Sequence, residues 1–108
     1  MIMTELRPEW TDDATERLDA IMEYLLETFG ISSVIKLRDE IDSYINTLLT
    51  NPNIGRVEPF LVGKRYVYRS IVINSINKIV YRIDEDVLYI IDIWDMRRSP
   101  NNLVSRIE

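Results

Sequence analysis

The sequence YRSIVINSINKIVYRIDEDVLYIIDIWDMRRSP, residues 68–100, gives the clearest indication of the fold. β-Branched and aromatic residues dominate it, as is typical of strands, and polar residues interrupt it at positions 74–77 and 84–86. Connections this short join antiparallel neighbours. The stretch therefore predicts a three-stranded antiparallel meander that starts at a Tyr-Arg pair and ends at an Arg-Arg pair.

The sequences of the two later strands of this meander predict different degrees of burial. In residues 78–83, alternation gives one apolar face and an opposite face that carries two cations, Lys78 and Arg82. In the last strand, strict alternation separates two sets: Val87, Tyr89, Ile91 and Ile93 on one face, and Leu88, Ile90, Asp92 and Trp94 on the other. Only Asp92 interrupts the apolar content, so we expect this strand to be interior in the sheet, with both faces largely covered.

The N-terminal half predicts an edge strand and a first helix. Residues 1–9 alternate as a short strand that ends at Pro8. Thr11 is a suitable N-cap, and apolar residues then recur at helical spacing over about 11–29. Gly30 is a suitable stop in a left-handed conformation.

A second helix follows, with Ser32 or Ser33 as its cap and Asn51-Pro52-Asn53 as its end. Because the link between the helices is only two or three residues, we expect an antiparallel helical hairpin that covers the apolar face of the meander.

The remaining segments predict irregular structure. Residues 53–63 are expected to be a connecting loop, and residues 99–102 are expected to leave the sheet irregularly after Arg98. The predicted fold class is therefore α+β, in the order β-α-α-β-β-β: an N-terminal strand and a helical hairpin packed on a mainly antiparallel sheet. We expect a single domain over residues 1–108.

Composition excludes several kinds of chemistry. The 108 residues contain no cysteine and no histidine, so the chain has no thiolate, no side chain that ordinarily titrates near neutrality, and neither of the residue types on which most zinc sites depend. The net charge is −5, and it is uneven, because residues 1–59 sum to −7 and residues 60–108 to +2. An acidic chain is a poor non-specific binder of nucleic acid. We expect no cofactor, no metal and no membrane association, and a reducing cytoplasm fits the lack of cysteine.

Certain short sequences stand in a definite order along the chain. They are Trp10, Leu18–Ile21 with Tyr24, Asn-Pro-Asn-Ile-Gly-Arg at 51–56, Tyr68-Arg69, Ile-Val-Tyr-Arg-Ile at 79–83, Val-Leu-Tyr-Ile-Ile at 87–91 and Asp-Met-Arg-Arg-Ser-Pro at 95–100. In this order and spacing they resemble the RelE/ParE superfamily of bacterial type II toxins, over nearly the whole chain. The resemblance implies a cytoplasmic bacterial toxin that arrests growth and that a small cognate antitoxin neutralises.

The two branches of that superfamily imply different activities. RelE-like members cut messenger RNA on the ribosome with basic residues, whereas ParE-like members poison DNA gyrase and carry out no known chemical step. Lys78 stands where RelE-like ribonucleases often have an Arg, and Arg97 stands at their Arg after the last strand. The C-terminal Tyr or His of those ribonucleases is absent here, Asp95 stands where many have His, and only Lys64 could represent their earlier lysines.

These departures favour a ParE-like toxin that is not an enzyme, with DNA gyrase as its candidate target, over a RelE-like endoribonuclease acting on ribosome-bound mRNA. A non-toxic protein-binding module on the same fold is a third alternative. If the chain were a ribonuclease, Lys78 and Arg97 would be its catalytic candidates. The candidate residues for binding target or antitoxin are Arg69, Lys78, Arg82, Arg97 and Arg98. For each a structural role stays open, such as pairing of the Arg97-Arg98 pair with Asp92 or Asp95.

Overall fold

The computed structural model describes residues 6–107 and confirms the predicted α+β fold. Five strands form one sheet in the order β1-β5-β4-β3-β2, where β1 is Arg7–Trp10, β2 Arg56–Val57, β3 Arg69–Val72, β4 Asn77–Asp84 and β5 Val87–Asp95. β1 is parallel to β5, and all other pairs are antiparallel. The meander β3-β4-β5 is thus where the sequence predicts it, and β5 is an interior strand as expected.

The edge strand β1 departs from its predicted bounds. Positions 1–5 lie outside the described residues, and the strand continues through Pro8 to Trp10 instead of ending at the proline. The amides of Arg7 and Thr11 donate to the carbonyls of Asp86 and Ile90 across the ladder. Since alternate residues face the partner, the nitrogen of Pro8 faces the open edge, where a proline costs no hydrogen bond.

Helices α1 (Asp12–Phe29) and α2 (Ile31–Thr50) form the predicted hairpin. The hydroxyl of Thr11 accepts from the Ala14 amide at 3.1 Å, which confirms the predicted N-cap. The link between the helices is the single residue Gly30, whose φ of 93° and ψ of 178° place it at positive φ but outside the left-handed helical region. The prediction of a serine cap is wrong: Ser32 and Ser33 lie within the first turn of α2, and the Ser33 hydroxyl donates to the Gly30 carbonyl at 2.7 Å.

The segment 53–63 is more ordered than predicted. It contains the short strand β2 and a single 3₁₀ turn at Pro59–Leu61. The hydroxyl of Tyr81 fixes its start, donating to the Pro52 carbonyl at 2.7 Å and accepting from the Gly55 amide at 3.1 Å. A Cβ on Gly55 would collide with that hydroxyl, so glycine is required there by the close approach of two segments of the chain.

A β-bulge changes which side chains of β5 share a face. Val80 pairs with Asp92 but Tyr81 pairs with Ile90, so Ile91 is an extra residue in β5. Ile93 therefore joins Leu88 and Ile90 on the helix-covered face, and the strict alternation predicted for β5 is wrong beyond Ile90.

Each face of the sheet has its own apolar cluster. The first lies under α1 and α2 and includes Ile41, Leu48, Ile79, Ile90 and Ile93. The second covers the opposite face and consists of Leu61, Tyr68, Val80, Trp94, Leu103 and Ile107. Its last two members belong to or follow a third helix, α3 (Pro100–Arg106).

The expectation of irregular structure after Arg98 is thus wrong. Ser99 precedes Pro100 at the first helical position, where the fixed φ of proline suits a helix start, and Leu103 is fully buried. Within residues 6–107, no helix is both long and apolar enough to cross a membrane.

Candidate functional site

Lys78 is buried in an ion pair. Its ammonium lies 2.7 Å from Oε2 of Glu58, and only 8% of the Lys78 side chain and none of the Glu58 side chain is exposed. The Ser70 hydroxyl donates to the same Oε2 at 2.6 Å, and the Phe60 amide donates to Oε1 at 3.4 Å. The Phe60 ring lies over the ammonium at 5.7 Å. Lys78 is therefore enclosed and neutralised, and it is not an exposed contact residue in this structure.

The carboxylate of Glu58 is held in its ionised form. Burial opposes ionisation, but the hydrogen bonds from Lys78 and Ser70, the Lys78 charge and the Phe60 amide outweigh it, and the pKa of Glu58 lies below its ordinary value of 4.5. The 3₁₀ turn that begins at Pro59 positions this carboxylate under β3 and β4.

Arg82 is stacked between aromatic rings on the same face as Lys78. Its guanidinium lies 4.0 Å from the ring centre of Tyr66 and 4.4 Å from that of Tyr89. Arg65 lies over Tyr66 at 5.2 Å, so two arginines and two tyrosines form one stack. Only 16% of the Arg82 side chain is exposed, and its charge lies 3.7 Å from Asp84. The structure thus places Arg82 in a packing role.

Arg69 serves the β2 connection. Its guanidinium donates to the Gly55 carbonyl at 2.8 Å, beside the Tyr81 hydroxyl. Burial raises the pKa of Tyr81, with the Gly55 amide and the Arg69 charge opposing that shift, so the hydroxyl remains a hydrogen-bond donor at neutral pH. The short sequences around Gly55 and Tyr68-Arg69, both part of the family resemblance, therefore contact each other in the structure.

Arg97 and Arg98 follow β5 and are exposed. Arg97 makes two hydrogen bonds to Asp95, from Nε to Oδ1 at 3.0 Å and from Nη2 to Oδ2 at 2.8 Å. These bonds lower the pKa of Asp95, with slight burial opposing them. Arg98 lies over one side of the Trp94 ring at 5.3 Å, and Arg17 of α1 contacts the same ring at 5.8 Å.

These arginines border a groove between α1 and the ends of β4 and β5, which we call the arginine groove. It has a volume of about 440 Å³. Its charged members are Arg17, Arg97, Arg98 and Asp95, and its apolar lining includes Ile21, Tyr24, Leu25 and Ile76. Of the five candidate binding residues, the structure brings only Arg97 and Arg98 together at one accessible place.

Asp92 occupies a second, smaller cavity on the α3 side of the sheet. It is 1% exposed, and among the described residues neither carboxylate oxygen has a hydrogen-bond partner. Arg17 and Arg106 lie at ion-pair distances of 3.6 and 3.4 Å. Burial raises the pKa of Asp92 to about 6, with the Asp13 charge adding to the shift and the Arg98 charge opposing it. In residues 6–107, no three acidic side chains come together as a metal ion would require.

Sequence reasoning missed several members of these sites. Glu58 lay in a predicted loop, and nothing local marks it as the partner of a residue 20 positions away. The sequence reasoning assigns Arg17 to no site, and it uses Tyr24 only as part of the family resemblance. Arg17 and Ile21 are four residues apart and Ile21 and Tyr24 three, so the three residues share one helix face, and this spacing is the available signal.

Three solved structures with a similar fold include two from toxin–antitoxin systems. The chromosomal ParDE toxin–antitoxin system of P. aeruginosa aligns at 21% identity with a TM-score of 0.68, covering 84% of this chain and 96% of that one. The YoeB dimer of Staphylococcus aureus aligns at 19% identity with a TM-score of 0.53, covering 83% of this chain and 95% of that one. The E. coli DinJ–YafQ toxin–antitoxin complex aligns at 13% identity with a TM-score of 0.56, covering 87% of this chain and 96% of that one. No curated protein matches significantly in sequence. The fold is that of the RelE/ParE superfamily of type II toxins.

The family can be stated more narrowly. The family described as the ParE toxin of the type II toxin–antitoxin system parDE matches residues 9–100. This match extends from β1 to the first residue of α3 and includes every residue that lines the arginine groove. The chain belongs to the ParE toxin family.

Proposed function

We propose that this toxin arrests growth by binding and poisoning a central target, with DNA gyrase as the candidate, and that a cognate antitoxin neutralises it in the bacterial cytoplasm. The observation that carries the proposal is the burial of Lys78 against Glu58. Lys78 stands where RelE-like ribonucleases often have an arginine, which could stabilise the charge that develops on a phosphate. Here that cation is already neutralised and enclosed by Phe60.

The surroundings of Arg97 support the same conclusion. Its guanidinium is engaged by Asp95, and the sequence has no histidine to transfer a proton near neutral pH. General acid–base catalysis contributes about 10²–10⁴ in rate, so a site without it should have little cleavage activity. Arg97 and Arg98 remain exposed and are suited to binding.

The experiment compares the two target classes side by side. Purified protein is assayed for inhibition of gyrase supercoiling and for cleavage of ribosome-bound mRNA by primer extension, while controlled expression in bacteria reports growth. We expect growth arrest and gyrase inhibition without discrete cuts in the message. Arg97→Ala/Arg98→Ala should relieve both effects while the protein stays folded. Arg38→Ala, an exposed arginine on α2, is the matched control and should change neither.

The alternatives give different outcomes. Discrete cuts that vanish in Arg97→Ala would restore the endoribonuclease of RelE type. Growth that continues normally, with the protein folded and free of antitoxin, would favour the non-toxic binding module.

A further inference from the structure

We propose that the toxin also docks on an acidic and apolar surface of its target protein through the connection between β2 and β3. This inference deepens the proposed function and rests on it, because it assigns a surface with which the toxin holds that target. We call this part the β2–β3 surface and define it by its exposed residues, which are Arg56, Val57, Phe60, Val62, Arg65 and Val67. It lies at the β2 edge of the sheet, and none of its residues lines the arginine groove.

Exposed apolar side chains are concentrated on the β2–β3 surface. Val62 and Val67 are 73% and 68% exposed, and Phe60 and Val57 are 50% and 45% exposed. Single exposed apolar residues are ordinary on a protein, but several on one short connection mark a site of interaction. A partner that covers these four side chains removes apolar area from water, which favours association.

The β2–β3 surface belongs to a strongly basic part of the chain. Residues 43–83 contain six basic side chains and one acidic side chain, Glu58, so they sum to +5 in a chain that carries −5. Glu58 is fully buried and paired with Lys78, so it offers no exposed carboxylate to a partner. Arg56 and Arg65, in contrast, are exposed. An acidic protein surface is therefore attracted to this place and repelled by the rest of the toxin.

Buried contacts hold the β2–β3 surface in a fixed shape. The Glu58 carboxylate, at the start of the connection, accepts hydrogen bonds from Lys78 and Ser70. Leu61 is 2% exposed and anchors the 3₁₀ turn in the second apolar cluster. A surface that is fixed before binding loses little conformational entropy when a partner arrives. It suits a folded partner of complementary shape better than a segment that is disordered when free.

The mixture of side chains favours a protein over a nucleic acid as the partner. Valine offers neither a hydrogen bond nor an aromatic face to a base, so a nucleic acid bound by the two arginines would leave Val62 and Val67 in water. The acidic net charge of the chain further weakens binding to a phosphate backbone. Carboxylates beside apolar side chains on a folded protein would engage both the cations and the valines at once.

The test measures binding of the intact protein to purified gyrase holoenzyme by surface plasmon resonance, with duplex DNA alone as a second probe. We expect binding to gyrase that weakens at higher salt, and no comparable binding to DNA alone. Val62→Ser/Val67→Ser and Arg56→Gln/Arg65→Gln should each weaken gyrase binding about tenfold or more. The concentration needed to inhibit supercoiling should rise in parallel. Both variants change only exposed side chains, so urea unfolding should show them folded.

Two matched controls lie on α2. Ile31→Ser/Ile35→Ser removes two apolar side chains that are also more than half exposed, and Lys36→Gln/Arg38→Gln makes the same change in net charge as the arginine variant. Both controls should bind and inhibit gyrase as the wild type does. Equal losses in the controls would reject the assignment, because the effect would then not be specific to the β2–β3 surface.

Three further results would overturn the proposal. The first is gyrase binding that is unchanged in both β2–β3 variants. The second is tight binding to DNA alone that depends on Arg56 and Arg65 but not on the valines, which would assign the surface to nucleic acid. The third is self-association of the toxin, measured by sedimentation, that the valine variant abolishes without affecting gyrase binding.

Failure of the proposed function is read from the wild type instead. A wild-type protein that inhibits supercoiling, together with equally potent β2–β3 variants, leaves the function standing and rejects this surface. A wild-type protein that arrests growth without binding gyrase rejects gyrase as the target. Relief of that arrest in Val62→Ser/Val67→Ser, at equal cellular abundance, then keeps the surface, and unchanged arrest rejects it. A wild-type protein that does not arrest growth rejects the function and this inference with it.

Discussion

Removing one partner of the buried pair Lys78–Glu58 should cost far more stability than removing both. Lys78→Met keeps the stem of the side chain and leaves Glu58 fully buried without its cation, bound only by Ser70 and Phe60. Breaking such a pair costs about 3–5 kcal/mol, a large share of the roughly 5–15 kcal/mol that stabilises a small domain. Glu58→Gln leaves the ammonium unpaired and should cost a similar amount. The double variant leaves no uncompensated charge and should lie within about 1–2 kcal/mol of wild type.

Urea unfolding of the four proteins at pH 7 measures this double-mutant cycle, with equal m-values as the check that the unfolding transition is unchanged. The same four proteins should be assayed for growth arrest. We expect the folded double variant to remain toxic, because neither charge contacts a target in this structure. Additive losses in the cycle would show that the two charges do not interact as the geometry indicates. Loss of toxicity in a stable double variant would refute the argument that Lys78 is structural.

Three further outcomes can be checked by stability measurements. The pKa of Asp92 is raised to about 6 from an ordinary 3.8, so between these pH values the folded protein keeps a proton that the unfolded chain loses, and the free energy of unfolding falls as pH rises from 3.8 to about 6. Asp92→Asn should remove this fall, which is measured by melting curves at pH 4.5 and 7. An unchanged pH profile in the variant would contradict the prediction. Gly55→Ala should lower the free energy of unfolding by about 1–3 kcal/mol, because the new Cβ collides with the Tyr81 hydroxyl and lies 2.8 Å from a carbonyl of β3. A urea midpoint equal to that of the wild type would show that the contact is loose. Leu103→Asp should destabilise the folded protein by several kcal/mol, because it buries an unpaired charge. Ser105→Asp on the exposed side of α3 should change stability little. Equal effects of the two changes would mean that α3 does not dock on the sheet.

The parts of the fold that the sequence predicts correctly depend on local signals. The ends of the two helices follow from local backbone chemistry: Thr11 precedes the first amphipathic segment, Gly30 separates it from the second, and Pro52 follows the second. The meander follows from β-branched residues and two short polar breaks. Each of these signals acts within a few residues, so no knowledge of distant contacts was needed.

The errors concern structure that distant contacts determine. The bulge at Ile91 arises from pairing with β4 and has no signature in the alternation of β5 itself. The strand β2 is only two residues long and depends on Tyr81 and Arg69 for its position. α3 did carry a local signal, Ser99 before Pro100, but the polar residues after it concealed the single buried Leu103.

The residues of the candidate site also fall into those that local sequence predicts and those that distant contacts determine. The exposure of Arg97 and Arg98 follows from their position after the last strand, and the sequence predicts them as binding residues. The enclosure of Lys78 could not be predicted, because Glu58 reaches it from a segment that looks like a loop. An exposed cation and a neutralised one have the same sequence pattern on a strand.

The parallel pairing of β1 with β5 also has a consequence for the timing of synthesis. Its hydrogen bonds join residues 79 positions apart, from Arg7 to Asp86 and from Thr11 to Ile90. Because translation adds roughly 5–20 residues per second, the two sides of this ladder leave the ribosome about 4–16 s apart. The helical hairpin can form during that interval from local contacts, but the sheet that positions Trp94 and Arg98 cannot close. The five-stranded sheet is therefore completed only after the last strand has been translated.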